Sequence, residues 1–324
     1  MSSPIQEPGR SLPHRSVAGA NGSPGAEQLA PGPEDANGRP EAAAPGRDAR
    51  AWPPWMAPAA LAARLVLAAI GGLVVDIPVL ALGVKVNSSH LPPGLVIADT
   101  AVQDLAFVVA ALFFAQLGGR ALSAWQFGLR PTRLRRALWS GLLAGVAFLV
   151  FLALWSAAVH VGKEKLLETL GTRQSTALLV LAAALTCVLA PICEEFLFRG
   201  FIFTALRNWR GLWPAALITG LLFGAVHAGS APAADLVPLA VLGFLLCLVY
   251  AYTGSLYPCI ALHSLNNLIA FASLEGWSVG AALLLLLGAL TLIALIALTL
   301  IRVGVITPAP RLVTAAGESS PPGG

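Results

Sequence analysis

Apolar runs long enough to cross a bilayer occupy most of this chain, and they limit what it can fold into. About 20 consecutive apolar residues span a membrane as a helix. Eight such runs are present, at roughly 59–82, 95–118, 138–160, 176–198, 212–229, 236–252, 256–273 and 280–301. The second is interrupted by Asp99 and Asp104, and the sixth and seventh are short and joined only by Thr253-Gly254-Ser255. Of the 324 residues, 57% are hydrophobic and 11% charged, whereas a soluble domain is about a quarter charged. The expected fold is all-α: a polytopic bundle of about eight transmembrane helices, filling residues 55–304.

The flanks differ in kind. Residues 1–54 hold 10 Pro and 7 Gly with scattered charge and no apolar periodicity, the composition of a disordered tail. Residues 305–324 read as a second disordered tail. No apolar stretch follows Met1, so the first membrane helix is expected to act as the insertion signal. Basic residues set the orientation. With the N-terminus inside, the inside segments carry Arg39, Arg47, Arg50, Arg120, Arg130, Arg133, Arg135, Arg136, Arg207, Arg210, Arg302 and Arg311, against Lys85, Lys163, Lys165 and Arg173 outside. This asymmetry places both termini in the cytoplasm, with the plasma membrane as the expected location. The net charge of +4 therefore reflects topology. Stacking aromatics do not accompany the basic residues, and nucleic acid is not an expected partner. Cys187, Cys193, Cys247 and Cys259 all fall in apolar runs without paired spacing and read as packing residues.

Charged groups inside hydrocarbon cost about 2.5–3.5 kcal/mol each on insertion scales, so those retained there point to function. The densest group is Pro191-Ile192-Cys193-Glu194-Glu195-Phe196-Leu197-Phe198-Arg199. Glu195 and Arg199 are four apart, in the order that favours a helical ion pair. Glu194 is turned about 100° from Glu195 and has no local partner, which suits it to proton transfer. A second element is Phe223 with His227, and Gly220 and Gly224 in the same run leave room for another helix to approach closely. A third is His263 with Asn267, four apart on one face. Both could donate to a developing oxyanion, or His263 could bind metal. Taken together, a carboxylate, two imidazoles and an amide suffice to hydrolyse an amide bond. The chain has no HExxH and no GxSxG.

In this order, Glu-Glu-x-x-x-Arg, Phe-x-x-x-His and His-x-x-x-Asn resemble the three signature motifs of the CPBP family, which includes the type II CAAX prenyl endopeptidases and bacteriocin-processing or immunity proteins. Phe127-Gly128-Leu129-Arg130 resembles a further feature of that family, and the resemblance covers about residues 120–275. It implies an intramembrane endopeptidase acting on a membrane-associated or lipidated protein or peptide. Glu194 would activate water, His227 would help hold it, and His263 and Asn267 would stabilise the oxyanion, with Glu195, Arg199 and Phe223 in support. The residues fit two mechanisms. Glu194, His227 and His263 make a two-His, one-carboxylate zinc set, but they also work without metal. The metal-free version is slightly favoured, because Asn is a poor zinc ligand and sits where a donor is needed. Rival readings are a non-catalytic scaffold or immunity protein of the same fold, and a proton- or metal-relay transporter.

One feature of the span assignment conflicts with a shared site. A fourth span ending at 198 carries Glu194 toward the cytoplasmic side, while His227 lies about 15 residues, roughly 22 Å, into the fifth. They converge only if the fourth helix is longer or tilted, which the apolar run to Leu206 permits.

Overall fold

The computed structural model describes residues 52–83, 91–117, 122–159 and 169–303, and these are helical apart from connections and one isolated bridge between Ala228 and Ala231. Both expected tails lie outside the described residues, apart from positions 52–54 and the bundle's edge near 303. So do several residues of the charge asymmetry, among them Arg39, Arg47, Arg50, Lys85, Arg120, Lys163, Lys165 and Arg311.

Eight helices follow one another: α1 Met56–Ala81, α2 Pro93–Gln116, α3 Leu134–Ala158, α4 Thr176–Arg210, α5 Leu212–Ala225, α6 Leu236–Thr253, α7 Leu256–Leu274 and α8 Val279–Arg302. Each corresponds to one expected span. Six of them are long and apolar enough to cross a membrane: α1 to α4, α6 counted from Ala233, and α8 counted from Leu283. The chain is thus a multi-pass helical membrane protein. The other two helices are shorter or more polar. α5 has 14 residues, about 21 Å against a hydrocarbon core of about 30 Å. α7 has 19 residues but carries His263, Ser264, Asn266 and Asn267. α7 carries polar groups considered below, and His227 lies just past the end of α5.

α4 is the central element. Its 35 residues extend about 50 Å, and Phe196–Phe203 is buried on every side chain. Two stretches widen from α to π geometry, Leu185–Leu189 just before Pro191 and Phe196–Phe203 just after Glu195. A proline lacks the N–H for its α-helical bond and crowds the preceding turn, a common cause of such irregularities. The helix ends at Gly211, whose φ of +81° suits glycine, and α5 starts at the next residue. This longer α4 removes the conflict in depth. Glu194 lies 16 residues before Arg210 and His227 lies 15 after Leu212, so both sit at a similar distance from the turn.

α5 packs on α6 through glycine. A Cβ on Gly220 would lie 2.7 Å from the Ala240 carbonyl oxygen, and one on Gly224 would collide with the Leu236 carbonyl oxygen. From the facing helix, a Cβ on Gly243 would lie 3.0 Å from the Gly220 Cα. The backbones themselves are in contact, as the spacing of Gly220 and Gly224 predicts. Ahead of α3, the turn Ala124–Phe127 ends at Gly128 with φ +80°. The Gly128 carbonyl accepts from the Leu256 N–H at 2.8 Å, the Arg130 carbonyl from Ser255 Oγ at 2.6 Å, and Arg130 Nε donates to the Gly254 carbonyl. Phe127 stacks on Phe196 with centroids 4.4 Å apart, and Trp52 packs on Phe127 and Phe201. This loop fastens the start of α7 to α4. The four cysteines are buried free thiols.

Candidate active site

Three elements converge at the middle of α4. Glu195 and Arg199 are fully buried and form an ion pair, Arg199 Nη1 donating to Glu195 Oε1 at 2.7 Å. Arg199 Nη2 donates to the Gly243 carbonyl of α6 at 2.9 Å. The same Oε1 accepts from His263 Nδ1 of α7 at 2.8 Å. Glu195 therefore does more than pair with Arg199: it joins α4, α6 and α7 and fixes the His263 ring.

Glu194 is 8% exposed and points the other way. Its Oε2 is buried without a hydrogen-bond partner. Both imidazoles face it, His227 Nε2 at 3.9 Å and His263 Nε2 at 3.9 Å. These distances exceed a direct hydrogen bond. His227 lies in the turn that closes α5, past its last residue Ala225. Its Nδ1 bonds the Phe223 carbonyl at 2.8 Å, one of the carbonyls a helix end leaves free. A carbonyl only accepts, so Nδ1 carries the hydrogen. At His263 the same arrangement has Nδ1 donating to Glu195 Oε1, which also accepts from Arg199. In both rings Nε2 is then the reactive nitrogen, an acceptor or ligand when the ring is neutral and a donor when it is protonated.

Phe223 is the packing hub. Arg199 lies over its ring at 4.6 Å, and the His227 and His263 rings lie 5.1 and 5.5 Å away. Asn267, on the His263 face, does not contact the carboxylates through any bond: its Nδ2 donates to the Thr186 carbonyl of α4 at 2.9 Å, and its Oδ1 accepts from Asn266 Nδ2 at 3.2 Å.

Sequence reasoning passed over a second set of charges. Asp104 of α2 is 5% exposed with Oδ2 unpartnered, and the half-buried Arg64 of α1 has Nε unpartnered. Both are within charge–charge range of Glu194 and of each other. Arg64 lies over the Phe107 ring at 4.0 Å, and Phe107 meets Phe198 at 5.9 Å, one turn beyond Asp104 and Glu194 respectively. Asp104, which the sequence marks as an interruption of the second span, therefore lies beside Glu194. An arginine inside an apolar run was the available signal.

A zinc ion held by Glu194, His227 and His263 would need its ligand atoms about 3.4 Å apart for tetrahedral bonds of about 2.0–2.1 Å. The carboxylate-to-imidazole separations of 3.9 Å are wider. No group of three or more His, Cys, Asp or Glu among the described residues is arranged to hold a metal ion. The hydrogen-bonded outer nitrogens do resemble those of metal-bound histidines, but the spacing does not fit a closed zinc centre.

Residues 176–269, which carry all three motifs, match the family model of the Rce1-like type II CAAX prenyl endopeptidases. The family resembled by the motifs is the family matched. Three relatives align with parts of the chain. An uncharacterised protein of Mycoplasma capricolum is 33% identical over 93 residues, 28% of this chain and 27% of its own length. The UPF0177 protein YxdF of Lactococcus lactis is 25% identical over 163 residues, 47% of this chain and 88% of its own. YdiL of Bacillus subtilis, named as a candidate membrane peptidase, is 33% identical over 89 residues, 27% of this chain and 35% of its own. The chain thus spans about a quarter of the first relative and a third of the last. No solved structure matches it.

Proposed function

We propose that this chain is an intramembrane endopeptidase that hydrolyses a peptide bond in a membrane-associated or lipidated protein or peptide. One observation carries the proposal: the unpartnered Glu194 Oε2 faces two imidazole Nε2 atoms, each 3.9 Å away. Such a gap holds a nucleophilic water against a base inside an apolar bundle.

In this mechanism the water gives a proton to Glu194 while its oxygen bonds to the scissile carbonyl carbon. His227 Nε2 accepts the water's other hydrogen and orients it. The carbonyl electron pair moves onto oxygen, and His263 Nε2–H stabilises that oxyanion. To donate, His263 carries a proton on each nitrogen. When the C–N bond breaks, the proton on Glu194 passes to the departing amine. The separations at Glu194 support a metal-free site, and no step passes through zinc. The basic residues before α3 and at the end of α4 favour cytoplasmic termini in the plasma membrane.

The test is cleavage by purified protein in liposomes, using a farnesylated C-terminal peptide and an unmodified membrane-anchored peptide. Glu194→Gln should lower the rate by about 10²–10⁴-fold while leaving the fold intact. Cleavage at the wild-type rate would remove Glu194 from its role. A wild type that cleaves nothing, while both forms still protect cells, would favour a non-catalytic scaffold.

A further inference from the structure

Asn267 meets α4 at a backbone defect. In the first π stretch the Ala190 N–H bonds the Leu185 carbonyl, five residues back. In that register the next donor is residue 191, directed at the Thr186 carbonyl. Residue 191 is proline and has no N–H. The Thr186 carbonyl is left without its helical donor, an expensive condition in a membrane interior, where no solvent supplies a substitute. Asn267 Nδ2 donates to that oxygen at 2.9 Å from the facing helix. The amide orientation is unambiguous, because a carbonyl oxygen repels Oδ1, and Oδ1 is occupied by Asn266 Nδ2.

We infer that Asn267 is a positioning residue: its side-chain amide replaces the backbone N–H that Pro191 lacks, and this joint fixes the height and rotation of α7 on α4. Residues 263 and 267 are one turn apart on the same face. A joint at 267 therefore sets the place of His263, whose Nδ1 reaches Glu195 Oε1 and whose Nε2 faces Glu194. α7 is held to α4 at two levels, Asn267 on Thr186 and His263 on Glu195. Pro191, a feature of the Glu-Glu motif's approach, and Asn267, in the last motif, form one device. The structural half stands independently, while its effect on rate rests on the endopeptidase proposal.

The two residues make a suppressor test. Asn267→Ala should lower the thermal unfolding midpoint in nanodiscs and reduce cleavage about a hundredfold, the effect of misplacing a reacting group by about an ångström. Pro191→Ala supplies an N–H to the Thr186 carbonyl, so Asn267→Ala should cost much less midpoint in that background. An equal cost in both backgrounds overturns the inference, and this holds whatever the chain cleaves. Recovery of the midpoint without recovery of cleavage overturns the positioning role and assigns Asn267 to direct contact with the reacting atoms. A direct measurement avoids reliance on Pro191→Ala. Thr186-Cys187 is the only Thr-Cys pair in the sequence, so ¹³C′-Thr and ¹⁵N-Cys labelling isolates the Thr186 carbonyl by NMR. Its shift should move in Asn267→Ala, and an unmoved shift refutes the bond.

Discussion

Glu195→Met tests how the buried charges are organised. Arg199 stays charged in any protein environment, and here it is fully buried. Removing Glu195 takes away its carboxylate partner and leaves neutral ones, among them the Gly243 carbonyl at 2.9 Å and the Phe223 ring face. Breaking one side of a buried ion pair costs about 3–5 kcal/mol, whereas replacing both sides by apolar groups is often close to neutral. The double variant Glu195→Met/Arg199→Met still strips a partner from the Gly243 carbonyl and from His263 Nδ1, at about 1 kcal/mol or somewhat more for each. It should nevertheless be more stable than the single variant. For a chain near this size, about 1 kcal/mol moves the midpoint by about 2–4 °C, so Glu195→Met should melt roughly 6–20 °C below wild type. The double variant should regain part of that. Cleavage should stay low in both, since neither restores the acceptor that fixes His263. Thermal unfolding in nanodiscs, paired with the liposome cleavage assay, reads both quantities. A double variant less stable than the single would refute the charge-pair reasoning, and a double variant with wild-type cleavage would refute the link from Glu195 to His263.

Three further outcomes follow from the same geometry. Gly220→Ala places a Cβ 2.7 Å from the Ala240 carbonyl oxygen and should cost about 1–3 kcal/mol with a parallel fall in cleavage, while Gly141→Ala, which meets no atom within 4 Å, should leave both unchanged. Asp104→Asn and Arg64→Gln should lower cleavage more than they lower the melting midpoint; wild-type rates in both would remove α1 and α2 from the site. Prolonged chelation should leave cleavage intact, and stoichiometric zinc lost together with activity would overturn the metal-free mechanism.

Apolar length was sufficient to place the eight helices of the described residues, and motif spacing to single out Glu194, Glu195, Arg199, Phe223, His227, His263 and Asn267 as candidates. α4 was read 12 residues short because a typical span length was imposed on a run whose own stop signals, Arg207, Arg210 and Gly211, lie further on. The partner of Asn267 could not be read from spacing, since it depends on a local change from α to π register at Leu185–Leu189. Arg64 and Asp104 were missed for another reason. Their helices show which residues are charged, but the direction each side chain takes is decided by how α1 and α2 rest on α4.

The near-equal counts on either side of Gly211, 17 residues back to Glu194 and 16 onward to His227, limit how the gene can change. One residue inserted in either arm slides its catalytic group about 1.5 Å and turns it about 100°, so length changes here must arrive in matched pairs or be absorbed as a bulge. The wide turns at Phe196–Phe203 have the form of an insertion already absorbed between Glu195 and the hairpin. Length variants tolerated by this chain should therefore cluster outside the two arms, in the connections before α4 and after α7.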